Sequence, residues 1–137
     1  MPVLVAAVCE GASSDGLDEV VVHPVAALEL TSADVLAAAG YILATPANLG
    51  YMSGALKHAF DTTYSDVLGL TRGRPFGVVI HGESDTAGAL VGIEKVTTGL
   101  QWRLVAAPVE SIGVVGDLEI AACVELGAVV AASTLDL

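Results

Sequence analysis

Short apolar runs alternate with helical segments along this chain, and this alternation restricts its fold more than any other feature. The runs Tyr41–Ala44 and Phe76–Ile80 are continuously apolar, which is typical of strands buried on both faces of a parallel sheet. Parallel strands need crossover connections, and the helical segments between the runs can supply them. We therefore predict an α/β fold, a three-layer sandwich built around a parallel sheet.

Composition excludes several classes of partner. The chain has 137 residues, enough for one domain that spans residues 1–137 and buries its own core. Sixteen acidic residues against five basic ones give a net charge of −11, so we expect neither nucleic acid nor an anionic membrane surface as a partner.

The apolar start Met1–Cys9 contains no basic residue, so we expect no signal peptide and a cytoplasmic location.

The first apolar stretch is predicted to be a helix rather than a strand. About ten residues separate it from the next β-branched run, and a parallel crossover with its helix needs about a dozen. Pro2 is tolerated in the first turn of a helix and Gly11 near its end, so we expect no strand ahead of this helix.

Besides the two strands above, the predicted elements are a helix at Pro2–Ala12, a strand at Glu19–His23, a short helix from Thr31 to Ala39, a helix from about Met52 to Asp61 with an irregular continuation to Val67, a helix from Thr86 to Thr98, a strand at Trp102–Val109 and a helix from Asp117.

The segment Thr45–Lys57 is the strongest indication of a functional site. It reads Thr-Pro-Ala-Asn-Leu-Gly-Tyr-Met-Ser-Gly-Ala-Leu-Lys and directly follows the apolar run Gly40–Ala44. A buried strand therefore ends in a Pro/Asn/Gly loop that leads into a helix, and such loops bind ligands at the carboxyl edge of open α/β sheets. The segments that begin at His81 and at Glu110 follow later strands and are expected at the same edge.

A longer pattern of motifs runs from about Val20 to Gly113. The motifs are Ala33-Asp34 with Gly40-Tyr41-Ile42, Thr45-Pro46-Ala47-Asn48-Leu49-Gly50-Tyr51-Met52-Ser53-Gly54, Leu56-Lys57, Phe60-Asp61, Arg72-Gly73-Arg74-Pro75, and Gly82 with Thr86-Ala87-Gly88-Ala89. Through these motifs the chain resembles the flavodoxin-like family that includes NAD(P)H-dependent FMN reductases and quinone reductases. The resemblance implies a flavodoxin-like three-layer sandwich that reduces a flavin or quinone-type acceptor with NAD(P)H.

The resemblance also implies where a flavin would be bound. In this family the Thr-Pro-x-Asn-x-Gly loop and the loop after the next strand lie on either side of the flavin ring. FMN would carry out the redox chemistry with NAD(P)H as co-substrate, so no catalytic protein residue is assigned. The implied cofactor-binding residues are Thr45, Pro46, Ala47, Asn48, Gly50, Tyr51, Met52 and Ser53 on one side and His81, Gly82 and Ser84 on the other.

The start of the chain departs from the family pattern. The family opens with a strand and a Ser/Thr/Gly-rich loop that wraps the FMN phosphate, and we find neither ahead of Pro2–Ala12. Ser13–Gly16 contains Ser and Gly but follows the helix and lies next to acidic residues, which disfavours a phosphate site. Two explanations stay open: the chain is longer at its start, or another element fills the gap.

Several candidate residues also have a purely structural interpretation. Asn48 and Gly50 can serve a turn alone, and Tyr51 and Met52 can pack at the start of a helix. His81 can hydrogen-bond a flavin or brace a loop. Both interpretations stay open at each of these positions.

The remaining noteworthy side chains are assigned to the structure rather than to a site. Arg72 and Arg74 precede a strand, so we expect them at the opposite edge of the sheet in surface ion pairs. Trp102 begins a strand at that edge and is expected in the core or in an oligomer contact. Cys9 and Cys123 lie far apart in apolar stretches and are interpreted as free thiols, and no His or Cys spacing fits a metal site.

Two functions follow from the sequence. The first is an FMN-binding oxidoreductase whose partner is a small-molecule electron acceptor, and which forms a homo-oligomer as such reductases often do. The alternative is a flavin-free, degenerate flavodoxin-like domain that acts as an oligomerising or protein-binding module.

Overall fold

Five α-helices and five strands make up the architecture of the described residues. The structure of the protein is a computed structural model, and it describes residues 1–136. The helices are α1 (Pro2–Ala12), α2 (Ser32–Ala37), α3 (Gly54–Val67), α4 (Ala87–Leu100) and α5 (Asp117–Thr134), with one 3₁₀ turn at Ala27–Glu29. The strands are β1 (Tyr41–Asn48), β2 (Tyr51–Met52), β3 (Pro75–Gly82), β4 (Arg103–Leu104) and β5 (Val109–Ile112).

The sheet is parallel apart from one short strand. Strand β1 pairs with β3 in a parallel register that runs from Tyr41 opposite Phe76 to Pro46 opposite His81. Strands β4 and β5 both pair parallel to the other edge of β3. Strand β2 pairs antiparallel with the last residues of β1. The carboxyl ends of β1, β3 and β5 therefore meet at one edge, as predicted.

Helices cover both faces of this sheet. Phe76, Val78 and Ile80 on one face of β3 pack in a cluster with residues of α3 and α4, whereas Val79 on the other face packs with residues of α1 and α5. This alternation follows the two-residue period of a strand, and the predicted three-layer α/β sandwich is confirmed. No helix in the described part of the chain is long and apolar enough to cross a membrane.

Two glycines allow α1 and α5 to pack with their backbones in contact. A β-carbon at Gly11 would overlap the carbonyl oxygen of Val124, and one at Gly127 would overlap the carbonyl oxygen of Val8. Helix α1 has the predicted bounds. The thiol of Cys123 is buried beneath this contact, and burial raises its pKa above the ordinary value.

The predicted strand Glu19–His23 is wrong. Residues 20–26 contain neither helix nor strand, although the side chain of Val20 packs near the end of α5. The backbone N–H groups of Val21 and Val22 form no hydrogen bond with another backbone group of residues 1–136. A strand is stabilised by pairing with a neighbouring strand, and the described residues place none beside this segment.

Three other boundaries differ from the prediction. Strand β1 continues through Thr45–Asn48, where the sequence predicts a loop. Pro46 is tolerated in this strand because an edge strand can lack one N–H group without losing a ladder hydrogen bond. Helix α3 begins at Gly54 rather than Met52 and stays regular to Val67. The last predicted strand is divided into β4 and β5. Leu56, Ala59 and Phe60 form the buried stripe of α3, as predicted.

The guanidinium of Arg74 closes the C-terminal end of α2. Its Nη1 donates to the carbonyl oxygen of Ala38 at 2.8 Å and contacts the hydroxyl of Tyr41 at 3.1 Å. That hydroxyl donates to the carbonyl oxygen of Val35 at 2.6 Å, and the ring of Trp102 stacks on Tyr41 with centroids 4.1 Å apart. Arg74 is therefore a structural residue, and the expected surface ion pair is wrong for this arginine.

Substituting Arg74 by methionine is expected to lower the free energy of unfolding by about 2 kcal/mol, because several helix-end carbonyl oxygens lose their donor. Urea unfolding measures this change. Arg72→Met is the matched control, since Arg72 lies in the same loop and is exposed. Equal losses in the two variants would show that the hydrogen bonds of Arg74 contribute nothing specific.

Candidate functional site

A tight hairpin forms one side of the candidate site. Strands β1 and β2 are joined by Leu49 and Gly50, whose φ angles are 50° and 76°. Two positive φ angles are typical of the type I′ hairpin turn, which glycine adopts freely and leucine does not. The side chain of Leu49 is fully exposed, so neither packing nor propensity explains this residue at the tip of the hairpin.

The hairpin is packed directly on α4. A β-carbon at Gly88 would overlap the carbonyl oxygen of Gly50. One turn further along, a β-carbon at Gly92 would lie 2.5 Å from the ring of Tyr51 and 3.0 Å from the methyl group of Met52. Gly88 and Gly92 therefore fix the height of the hairpin above the sheet edge.

The segment after β3 forms the other side of the site. Gly82 ends β3 beside the hairpin strand, where a β-carbon would lie 3.3 Å from that of Ala47. The following loop is held by its own acidic side chain, since Asp85 accepts a hydrogen bond from the N–H of Ala87 at 2.9 Å. Thr86 donates to Glu110 of β5 at 2.8 Å. The two sequence segments predicted to flank a ligand are therefore neighbours at one edge.

The side chain of His81 contacts the segment that follows β5. Its Nε2 lies 2.7 Å from the carbonyl oxygen of Gly113, which directly follows β5. This geometry agrees with the loop-bracing interpretation of His81, and it leaves only the other ring nitrogen for a ligand. Ser111, opposite His81 in the β3–β5 register, is buried, and its hydroxyl has no hydrogen-bond partner among the described residues.

The predicted site residues differ in how far they reach solvent. Asn48, Gly50, Tyr51 and Ser84 are exposed, and Tyr51 retains 39% of its accessible surface. Met52 is 2% exposed and lies in the core cluster. Four of the others are half-buried: Pro46, Ala47, Ser53 and His81. Thr45 and Gly82 are buried.

Thr45 and Ser53 have local structural roles. The Thr45 hydroxyl accepts the N–H of Ser53 at 2.9 Å and donates to the carbonyl oxygen of Pro46 at 2.8 Å. The Ser53 hydroxyl accepts the N–H of Leu56 at 3.1 Å and so caps α3. These bonds tie the end of β1 to the start of α3 and hold the hairpin between them.

Charge at this edge is negative. Glu83, Asp85, Glu110 and Asp117 lie in or next to the exits of β3 and β5. The arginines lie at the opposite edge, because they precede or begin strands β3 and β4. The Ser13–Gly16 segment follows the C-terminal end of α1, where the helix dipole is negative and disfavours an anion.

None of the predicted site residues lines either of two cavities found elsewhere in the described part of the chain. One cavity of about 460 Å³ lies between β5 and α5. The other, of about 1090 Å³, lies between β1 and residues 19–27.

Two contributions to this site have no clear signal in the sequence. Leu49 is a poor turn residue, and Gly88 looks like an ordinary helix glycine. Only the contact between Gly88 and Gly50 shows that the spacing from the hairpin to α4 depends on both glycines.

Comparison with known proteins identifies the fold. No protein-family model matches the sequence, and no curated protein is similar to it. Among solved structures, a flavodoxin from the domain Archaea superposes with a TM-score of 0.82 at 13% identity over 98% of this chain and 90% of that one. A WrbA-like flavodoxin from Agrobacterium tumefaciens gives 0.75 at 18% identity over 98% of this chain and 88% of that one.

A third similar structure is named as an NADPH-quinone reductase from P. pentosaceus. It has a TM-score of 0.65 at 15% identity and covers 93% of this chain and 87% of that one. Agreement over nearly the full length, with helices on both faces of a parallel sheet, supports one conclusion: this chain has the flavodoxin-like fold.

Proposed function

We propose that this protein binds the ring of a flavin at the carboxyl edge of its sheet and acts as an oxidoreductase that passes electrons from NAD(P)H to a small-molecule acceptor. The observation that carries the proposal is that the segments Thr45–Ser53 and His81–Ser84 are neighbours in a flavodoxin-like fold. Pro46 stands opposite His81 in the register, and Gly82 lies beside Ala47. A flavin held there would supply the hydride chemistry itself.

The residues at this edge suit a planar aromatic ring. Asn48 offers an amide that can both donate and accept hydrogen bonds, and the half-exposed ring of Tyr51 offers an apolar face. The close contact with α4 keeps both side chains at a fixed height above β3. These residues would bind and orient the ring, and no protein acid or base is required.

The described residues fit the phosphate of FMN less well than they fit its ring. The acidic side chains of Glu83, Asp85, Glu110 and Asp117 at this edge would repel an anion. The ring is therefore expected to supply most of the affinity for a flavin.

Titration with FMN tests the proposal. The protein is expected to quench flavin fluorescence saturably, and Gly50→Val is expected to weaken binding at least about tenfold, or about 1.4 kcal/mol. A β-branched side chain at a φ of 76° would deform the hairpin. Gly69→Val is the matched control, because Gly69 has a φ of 80° and equally open surroundings but lies between α3 and β3, away from the site.

Three outcomes of this titration are decisive. Weaker binding in the Gly50 variant alone supports the site. Equal binding in both variants and the unaltered protein removes the hairpin from the site, and absence of any quenching removes the flavin.

Riboflavin is expected to bind within about threefold of FMN, because the acidic side chains of Glu83 and Asp85 beside the site disfavour the FMN phosphate. The same quenching titration, repeated with riboflavin, measures the ratio. FMN that binds more than about tenfold tighter, or about 1.4 kcal/mol, would reveal a phosphate site and contradict this prediction.

A flavin-free binding module is the second candidate function. The observation that favours it is a set of exposed apolar side chains at the same edge, on the hairpin and around the start of α5: Leu49, Ile112, Val114 and Leu118. Exposed apolar clusters often mark protein interfaces. A colourless protein that forms a defined oligomer and does not quench flavin would support this candidate over the first.

A further inference from the structure

Strand β5 forms an outer edge of the sheet. It pairs with β3 on one side, from Val109 opposite Val79 to Ile112 opposite Gly82. No other strand of residues 1–136 lies along its far side. A strand at a sheet edge presents unpaired N–H and C=O groups, and a strand from another chain can pair with them.

The hydrogen bonds between β3 and β5 show which backbone groups of β5 are free. Gly113 donates its N–H to the carbonyl oxygen of Gly82 at 2.8 Å, so Ser111 and Gly113 face β3. Successive residues of a strand direct their N–H and C=O groups to opposite edges. Glu110 and Ile112 therefore direct theirs outward, where the described residues provide no backbone partner.

An apolar groove of about 460 Å³ lies beside this free edge. Residues 106–110 form one wall, and one face of α5 forms the other. The N–H groups of Ala106 and Ala107 donate to no backbone oxygen of residues 1–136. The α5 wall is an apolar stripe in which successive members are three or four residues apart, namely Leu118, Ala122, Leu126 and Val129.

A strand added to β5 would have two different faces. Val109 points to the α5 side of the sheet, where it packs with residues of α1 and α5. Glu110 points to the opposite side and accepts a hydrogen bond from Thr86 at 2.8 Å. That side is open, since Glu110 and Ile112 are both exposed. An added strand would therefore bury alternate side chains against α5 and leave the others in solvent.

The charge of the groove favours a basic strand. Its charged lining residues are Glu110, Glu119 and Glu125, and no lysine or arginine lines it. Lysine or arginine on the added strand would complement these carboxylates. A second copy of the chain is disfavoured, because a two-fold pairing of β5 edges would bring the same carboxylates together and each copy carries a net charge of −11.

We propose that the free edge of β5 and the adjoining face of α5 bind one β-strand of another protein, a segment of about five to seven residues in which apolar residues alternate with lysine or arginine. Main-chain hydrogen bonds to Glu110 and Ile112 supply affinity, and the apolar side chains enter the groove. The basic side chains lie on the open face with the carboxylate of Glu110. This function does not require a flavin.

The synthetic peptide Lys-Val-Lys-Val-Lys-Val-Lys tests the proposal with the full chain. Saturable binding is expected, and the amide hydrogens of Glu110 and Ile112 are expected to exchange at least about tenfold more slowly in its presence. The amide of Ser111 faces β3 and is the internal control, with an expected change below about threefold. Absence of binding, or equal changes at all three amides, overturns the proposal.

Two altered peptides separate strand pairing from attraction by charge alone. N-methylation of the third and fourth residues keeps every side chain but removes one N–H group from each edge of the peptide, so binding is expected to weaken at least about tenfold. Replacement of every lysine by glutamate is expected to abolish binding, because the groove is acidic. Equal binding by either altered peptide overturns the proposal.

A variant that fills the groove provides an independent test. Ala122 of α5 lines the groove, whereas its exposed neighbour Ala121 does not. Ala122→Lys is expected to weaken peptide binding at least about tenfold relative to Ala121→Lys, with circular dichroism showing that both variants are folded. The two variants change the net charge equally, so equal binding by them overturns the proposal.

Other occupants of the edge are distinguished in the exchange experiment. If the amides of Glu110 and Ile112 are already protected without peptide, the edge is paired with a second copy of the chain or with a further segment of its own polypeptide. Sedimentation separates these two cases, and either one overturns binding of another protein.

Discussion

Replacement of Gly127 by valine is expected to lower the free energy of unfolding by about 3 kcal/mol, the upper part of the range for overpacked cores. A β-carbon at this position would overlap the carbonyl oxygen of Val8 and lie 2.9 Å from the backbone nitrogen of Ala12. Backbone atoms cannot rotate away as a side chain can. Helix α1 would therefore have to separate from α5, and the buried side chains of Leu4 and Cys123 between them would lose contacts.

Urea unfolding followed by circular dichroism measures the loss. Gly54→Ala is the matched control, because a β-carbon at Gly54 meets no atom within 4 Å and alanine is the better helix former. The control is expected to be neutral or slightly stabilising. If both variants unfold at the same urea concentration as the unaltered protein, α1 does not pack on α5 as described.

Substituting Gly88 by alanine is expected to displace the hairpin from α4. The new methyl group would overlap the carbonyl oxygen of Gly50, so the hairpin must rise and Tyr51 must move with it. On the proposed function, the affinity for FMN falls at least about tenfold, or about 1.4 kcal/mol. The free energy of unfolding is expected to fall by about 1–3 kcal/mol as well.

The control for Gly88 lies on the same helix. Gly99 is at the far end of α4, where a β-carbon would meet the hydroxyl end of Tyr64, a side chain that can shift. Gly99→Ala is expected to lower stability modestly and to leave FMN affinity unchanged. Loss of FMN binding in both variants would mean that general instability, not the position of the hairpin, is responsible.

Helix positions could be read largely from local sequence. Pro2 at the start of α1 and the capping box formed by Thr31 and Asp34 at α2 mark helix starts through nearby backbone groups. The N–H of Thr31 donates to the carboxylate of Asp34 at 2.9 Å and holds the pKa of that carboxyl below its ordinary value. Such signals lie within a few residues of the helix they define.

The candidate site was only partly predictable. The sequence placed Thr45–Ser53 and His81–Ser84 at one edge, because parallel strands must end together. It did not show that Met52 turns into the core while Tyr51 remains outside, or that Leu49 occupies the hairpin tip. Those outcomes depend on the pairing of Ala47 with Met52 and on the glycines of α4, which are distant in sequence.

The sequence by itself determined the α/β class, the parallel direction of the main strands and most helix starts, because apolar periodicity and capping act over short distances. Tertiary structure decided which β-branched runs became strands. Tyr41–Ala44 and Val20–His23 have similar compositions, yet only the first has β3 beside it. A strand needs a partner for its backbone hydrogen bonds, and that partner is supplied by the rest of the fold.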